Sequence, residues 1–161
     1  MSLLNDENLY RLALVSMHGV CQKTAKQILE HWQSAQLFFR EPAESKVIIG
    51  EAFYQSLNSL TTAQALHKAE RQLKLMERAG VQMHCYCDTS YPHRLRHCED
   101  GPFILFQKGP LDLNPNRALA VVGTRRSTDY GERHAEKIVE DLRTYNPYIV
   151  SGLAFGIDAA A

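Results

Sequence analysis

No apolar run in this chain approaches the roughly 18–20 residues that cross a bilayer, so no membrane-spanning helix and no membrane partner are expected. Neither charge sign is in excess: 18 Lys and Arg stand against 18 Asp and Glu. Nucleic-acid-binding domains usually carry a clear basic surplus, so a site for a polyanion would have to be a local patch here. The opening stretch, MSLLNDENLYRLALV, has no basic n-region and no small-residue cleavage site, so no secretion signal is expected. Without one, the four cysteines are expected as free thiols in a reducing cytosol, and the expected localisation is cytoplasmic. Also missing are G-x-G-x-x-G after a strand, G-x-x-x-x-G-K-[ST], and the G-x-S-x-G elbow. Their absence argues against dinucleotide binding, P-loop nucleotide binding and a serine-hydrolase site, and no cofactor is expected.

What is present suits a globular chain. Apolar residues make up 45% of the 161, enough for an ordinary core in one domain or two small ones. Residues 5–79 read as helical. Leu9, Leu12 and Ala13 share one face, and Ala25, Ile28, Leu29 and Trp32 share another. Leu66, Ala69, Leu73 and Met76 repeat the pattern in a helix that should stop at Gly80. Pro42 and Gly50 punctuate the middle, where Leu37, Phe38 and Phe39 and then Val47, Ile48 and Ile49 form short apolar clusters. After Gly80 the pattern changes to strands over 81–87 and 103–107, then a turn-rich connector over 111–117. A helical domain over 1–80 and a second domain over 81–161 are therefore expected.

Two late segments carry the most chemistry. Residues 118–131, ALAVVGTRRSTDYG, and 148–161, YIVSGLAFGIDAAA, each read as a short apolar strand running into a polar loop. Between them, 129–145 has Ala135, Ile138, Val139 and Leu142 at helical spacing. Strand, helix, strand makes a βαβ unit with both loops at one carboxyl edge, where open α/β sheets bind ligands. The first loop holds Gly123, Thr124, Arg125, Arg126 and Ser127, with Asp129 as the expected N-cap of the helix. A guanidinium there can grip a phosphate bidentately or stack on an unpaired base. The alternative is that both arginines sit on a solvated edge or pair with Asp129 and Glu132. The second loop holds Ser151, Gly152, Leu153, Ala154 and Gly156, whose small members let a phosphate or sugar reach backbone N–H groups. Alternatively, Gly152 and Gly156 only relieve crowding where strand meets helix. Asp158 is expected to cap the next helix.

The strings VVGTRRSTDYG and IVSGLAFGID resemble the two signature loops of the DNA-processing protein A family, also called Smf. Tyr91-Pro92-His93-Arg94-Leu95 and the stretch GPFILFQKG at 101–109 are similar to the family's lead-in to its first sheet. The resemblance is dense from about Tyr91 onward and thin before it. It implies an α/β chain: an N-terminal all-helical domain (helix-hairpin-helix/SAM-like), then the beginning of an extended Rossmann-like parallel sheet. Because the family pattern continues, the chain is expected to be truncated within that second domain. The implied function is a non-enzymatic bacterial recombination mediator. It would bind and protect single-stranded DNA and load RecA during natural transformation, as a homodimer in the complete protein. The arginine after Gly-Thr, Arg125, is the implied DNA contact, with Arg126 beside it. The rival expectations are a Rossmann-like nucleotide hydrolase with its catalytic motif beyond Ala161, and a helical DNA-anchoring module.

Residues 14–26, LVSMHGVCQKTAK, resemble a helix-hairpin-helix turn with Cys21 in place of the second glycine. Gly19, Lys23 and Lys26 are thus candidates for a secondary nucleic-acid contact, against a hairpin that only packs. His84, Cys85, Cys87, His93, His97 and Cys98 cluster, but C-x-C on a strand is not the C-x2–4-C of metal sites, and no metal is expected.

Overall fold

The computed structural model describes residues 6–40, 50, 54 and 59–161, which fall into two compact units, Met1–Asn114 and Pro115–Ala161. In the first, α1 (Asp6–Ser16), α2 (Gln22–Trp32), α3 (Ala35–Arg40) and the long α4 (Ser59–Ala79) enclose one core. The periodic residues lie inside as expected: Ala25, Ile28, Leu29 and Trp32 from α2, and Ala69, Leu73 and Met76 from α4 are buried. Leu12 and Leu14 from α1 and Phe38 from α3 complete the packing. Gly80, at φ 64°, ends α4 in the left-handed conformation that glycine adopts without steric cost. The expected cluster at Val47, Ile48 and Ile49, with Pro42, lies outside the described residues.

An antiparallel hairpin, β1 (Val81–Cys85) and β2 (Ile104–Lys108), joins that core in register from Val81 opposite Lys108 to Cys85 opposite Ile104. The expected strand over 81–87 stops at Cys85 because Asp88 N donates to Cys85 O at 2.8 Å, closing a turn. His84 is buried yet satisfied: Nε2 donates to Gln107 Oε1 at 2.8 Å, and Nδ1 shares a hydrogen bond with Ser90 Oγ at 2.9 Å. Between the strands, Tyr91 is fully buried and its hydroxyl donates to Pro102 O at 2.6 Å. A one-turn helix, α5 (His93–Arg96), follows, and a Cβ on Gly101 would stand 2.6 Å from Leu95 O. The lead-in motif is therefore a tightly folded connection between the strands. A polar chain also ties elements together. Glu7 accepts from Ser34 Oγ, Ala35 N and Gln36 N at the start of α3, while Arg11 pairs with Glu7 at 3.4 Å and with Asp88 at 3.0 Å.

The second unit is the expected βαβ arrangement. Parallel strands β3 (Ala118–Ala120) and β4 (Tyr148–Val150) pair from Ala118 opposite Tyr148 to Ala120 opposite Val150. They flank α6 (Asp129–Asp141) and a 3-10 turn (Arg143–Tyr145), and α7 (Ile157–Ala160) comes last. On the expected apolar face of α6, Ala135 is buried and Val139 and Leu142 are half-buried, but Ile138 is 53% exposed. A two-stranded sheet is too narrow to cover a full helical stripe. Among the described residues, no helix is long and apolar enough to cross a membrane.

Candidate nucleic-acid interface

Because β3 and β4 run parallel, the loops that follow them leave the same carboxyl edge. They are knitted together by residues from both. Gly123 N donates to Asp158 Oδ1 at 3.0 Å, Ile157 N donates to Thr124 O at 3.3 Å, and Ser151 Oγ donates to Asp158 O at 3.0 Å. The glycines make this approach possible. A Cβ on Gly123 would fall 2.5 Å from Ile157 Cβ, and one on Gly152 2.8 Å from Asp158 Oδ2. Gly156 is constrained twice. Its φ is 81°, and a Cβ there would meet Thr124 O at 2.3 Å and Ser127 Oγ at 2.9 Å.

On this base the first loop turns its cations outward. Arg125 and Arg126 are exposed, and Arg126 N donates to Thr124 Oγ1 at 3.2 Å, which shapes the loop tip. Glu132, one of the two carboxylates that could have neutralised the arginines, instead accepts from Ser127 Oγ at 2.5 Å. Two expectations need correction here. The N-cap of α6 is Thr128, whose Oγ1 accepts from Gly131 N at 3.2 Å, and Asp129 is the first helical residue. Thr128 has extended dihedrals (φ −90°, ψ 156°) and a hydroxyl at the right reach, so it takes the cap while Asp129 adds charge to the first turn. Asp158 does not cap α7, which starts at Gly156 without a side-chain cap. Its carboxylate is drawn across to Gly123 N and acts as a brace between the loops.

That brace also decides where an anion can sit. The Gly123 N–H is already used by a carboxylate, so a phosphate would meet this edge from the outer, guanidinium side. The second loop adds a feature that spacing did not single out. Leu153, at φ 51°, and Phe155 stand in solvent, 87% and 85% exposed. An exposed aromatic ring is the kind of surface on which an unpaired base can stack. Ala154 lies between them and is half-buried.

The other candidates lie in the first unit. Gly19, at φ 87°, closes the turn between α1 and α2. Cys21 is the N-cap of α2: its sulfur lies 3.2 Å from Thr24 Oγ1 and accepts from Thr24 N at 3.5 Å, and these side-chain and backbone hydrogen bonds hold its thiol below the ordinary range. Lys23 is exposed, whereas Lys26 lies over the Tyr86 ring, 4.8 Å from its centroid. The hairpin turn therefore offers one open lysine. Of the Cys and His cluster, His84 is consumed by Ser90 and Gln107, and among the described residues no group of three ligating side chains could hold a metal ion.

Residues 82–161 match the family model described as DNA recombination-mediator protein A. The chain is 45% identical over 74 residues to DNA processing protein DprA of Streptococcus pneumoniae, covering 46% of this chain and 26% of that protein. Against Protein Smf of Synechocystis it is 28% identical over 170 residues, covering 99% of this chain and 41% of the relative. The X-ray structure of DprA from Streptococcus pneumoniae superposes with a TM-score of 0.61 at 26% identity, over 98% of this chain and 52% of that one. The chain thus spans about a quarter to two fifths of the length of these two curated relatives.

Proposed function

Because the chain belongs to the DNA-processing protein A (DprA/Smf) family, we propose that it binds single-stranded DNA as a recombination mediator and delivers the strand to RecA, without catalysing a reaction. The observation that carries this reading is the braced loop edge: Gly123, Asp158 and Gly156 fix two loops against each other while Arg125 and Arg126 stay exposed. In the proposed binding mode Arg125 grips a phosphate and Arg126 assists. Thr124 and Ser127 hold the loop in shape, and Phe155 stacks on a base. Ser151, Gly152, Leu153, Ala154 and Gly156 line the neighbouring stretch of strand. The proposed division is a Rossmann-like DNA-binding part over 81–161, of which residues 81–114 fold with the helices in the compact unit Met1–Asn114, and a helix-hairpin-helix/SAM-like accessory over 1–80. Gly19 and Lys23 supply any secondary contact there, since Lys26 already has an aromatic partner. A cytoplasmic setting and a homodimer of the complete protein belong to the same reading.

The test is fluorescence anisotropy of labelled oligothymidine with this chain and with Arg125→Ala, across a salt series. The expected loss on substitution is about tenfold, the worth of one charge-assisted contact. The slope of log affinity against log salt should also fall by about 0.7 per phosphate contact removed. Equal binding by the two chains would refute the clamp. Undiminished affinity in Arg125→Ala with a loss in Lys23→Ala would move the site to the helical hairpin.

A further inference from the structure

Outside the loop edge, one pair of nucleophilic side chains is unused by the reading above. Cys85 ends β1 fully buried, and Cys87, an exposed residue, follows in the turn with its sulfur 3.4 Å from that of Cys85. The turn that brings them together is fixed from two sides: Asp88 N donates to Cys85 O, and Cys85 N donates to Asp88 Oδ2, both at 2.8 Å. In a β-turn, residues i and i+2 are drawn closer than along an extended strand. That favours the Cα separation of about 4.4–6.8 Å that a disulfide needs. We propose that Cys85 and Cys87 form a peroxide-oxidisable dithiol that closes reversibly to an intrachain disulfide at the end of β1.

The surroundings divide the roles. With both thiols protonated, Cys87 donates to Cys85; once Cys87 loses its proton, Cys85 becomes the donor. That bond, with the Arg11 guanidinium, brings the Cys87 thiol below its ordinary value, against the opposing effects of burial and the Asp88 carboxylate. The same hydrogen bond and burial push Cys85 up. The charged groups facing the pair are Arg11 from α1, with Glu7 behind it, and Asp88 from the turn, which also accepts from Arg11. Cys87 is therefore the attacking thiolate and Cys85 the resolving thiol.

The chemistry balances with a hydroperoxide as the oxidant. Cys87 sulfur attacks the terminal peroxide oxygen: an S–O bond forms, the O–O bond breaks, and the alkoxide or hydroxide leaves and takes up a proton. Cys85 sulfur then attacks Cys87 sulfur. The S–S bond forms, the S–O bond breaks, and the departing hydroxide takes the Cys85 proton as water. Two thiols and one hydroperoxide give one disulfide, one alcohol (water, when the oxidant is hydrogen peroxide) and one water. Tyr86, between the two cysteines, packs under Lys26 and beside Tyr91, so closure would be felt at α2.

The test uses this chain with Cys21→Ser and Cys98→Ser, which leaves the pair alone and puts a hydroxyl, itself a good cap, in place of the Cys21 thiol at the start of α2. It is treated with equimolar hydrogen peroxide, denatured, alkylated, digested and weighed. The peptide holding both cysteines is expected to lose two hydrogens, resist alkylation and recover both thiols after dithiothreitol. Before oxidation, native alkylation of Cys87 should outpace that of Cys85 by ~10-fold or more, and should accelerate at a lower pH than in the urea-unfolded chain. Cys87 oxidised to a sulfinic acid while Cys85 remains alkylatable would overturn the proposal, as would disulfides found only between chains. Trapping by dimedone in Cys85→Ser gives an independent check. A Cys87 sulfenic acid is expected there and its absence counts against the assigned roles; the mapping on the parent chain stands even if that variant does not fold.

Discussion

The first unit buries Leu12, Leu14, Ile28, Phe38, Leu73, Tyr91 and Phe103 almost completely, while in the second only Ala135 among the described residues is buried. Val122, Ile138, Tyr145, Val150, Leu153 and Phe155 of the second unit are all exposed. The two regions are thus held by different physics. The helical and hairpin unit rests on apolar area withdrawn from water and on the Glu7–Arg11–Asp88 chain. The βαβ unit rests on a short parallel ladder and on close backbone approach across two loops, where glycines stand in for packing. This chain spans about a quarter to two fifths of the length of the Streptococcus pneumoniae DprA and Synechocystis Smf relatives. In it, regions with few buried apolar contacts open at lower free energy, so the loop edge is expected to exchange faster than the helical core.

The sharpest way to probe that contrast is a core truncation. Leu73→Ala removes a side chain 1% exposed at the centre of the first unit, and should cost about 2–5 kcal/mol in urea denaturation. The counterpart in the second unit is Gly156→Ala. The unfavourable backbone alone should cost about 1–3 kcal/mol, and the contact with Thr124 O adds to it. Hydrogen exchange should show the Ile157 and Gly123 amides losing protection. If instead those amides stay protected, the loops are not held by the glycine fit. Thr128→Ala, which removes the α6 cap, should cost about 1 kcal/mol, and Thr128→Ser should restore most of it. Smallest of all on stability is Arg125→Ala, within about 0.5 kcal/mol of the parent chain because the side chain is exposed. A large destabilisation there would mean that the arginine supports the loop.

Much of this was legible in the chain. The periodicity of Ala25, Ile28, Leu29 and Trp32 placed an inward face correctly, and the alternation of apolar runs with Gly123 and Gly152 located both loops at one sheet edge. The sequence points to Asp129 as the cap as readily as to Thr128, because aspartate and threonine are both good caps, and only the extended dihedrals of Thr128 decide between them. Phe155 is not legible as an exposed ring, because nothing in its spacing separates an exposed phenylalanine from a core one.

The sequence by itself determined the helices, the strands and the order of glycines and arginines in the loops. These follow from local periodicity and from the conformations open to each residue type. Tertiary structure alone decided that Asp158 bridges to Gly123 instead of capping α7, that Lys26 lies on Tyr86, and that Arg11 meets Asp88 beside two thiols. Each of those contacts joins residues from separate elements. Their partners are chosen when the elements pack and the polar groups brought together must satisfy one another, which no local pattern encodes.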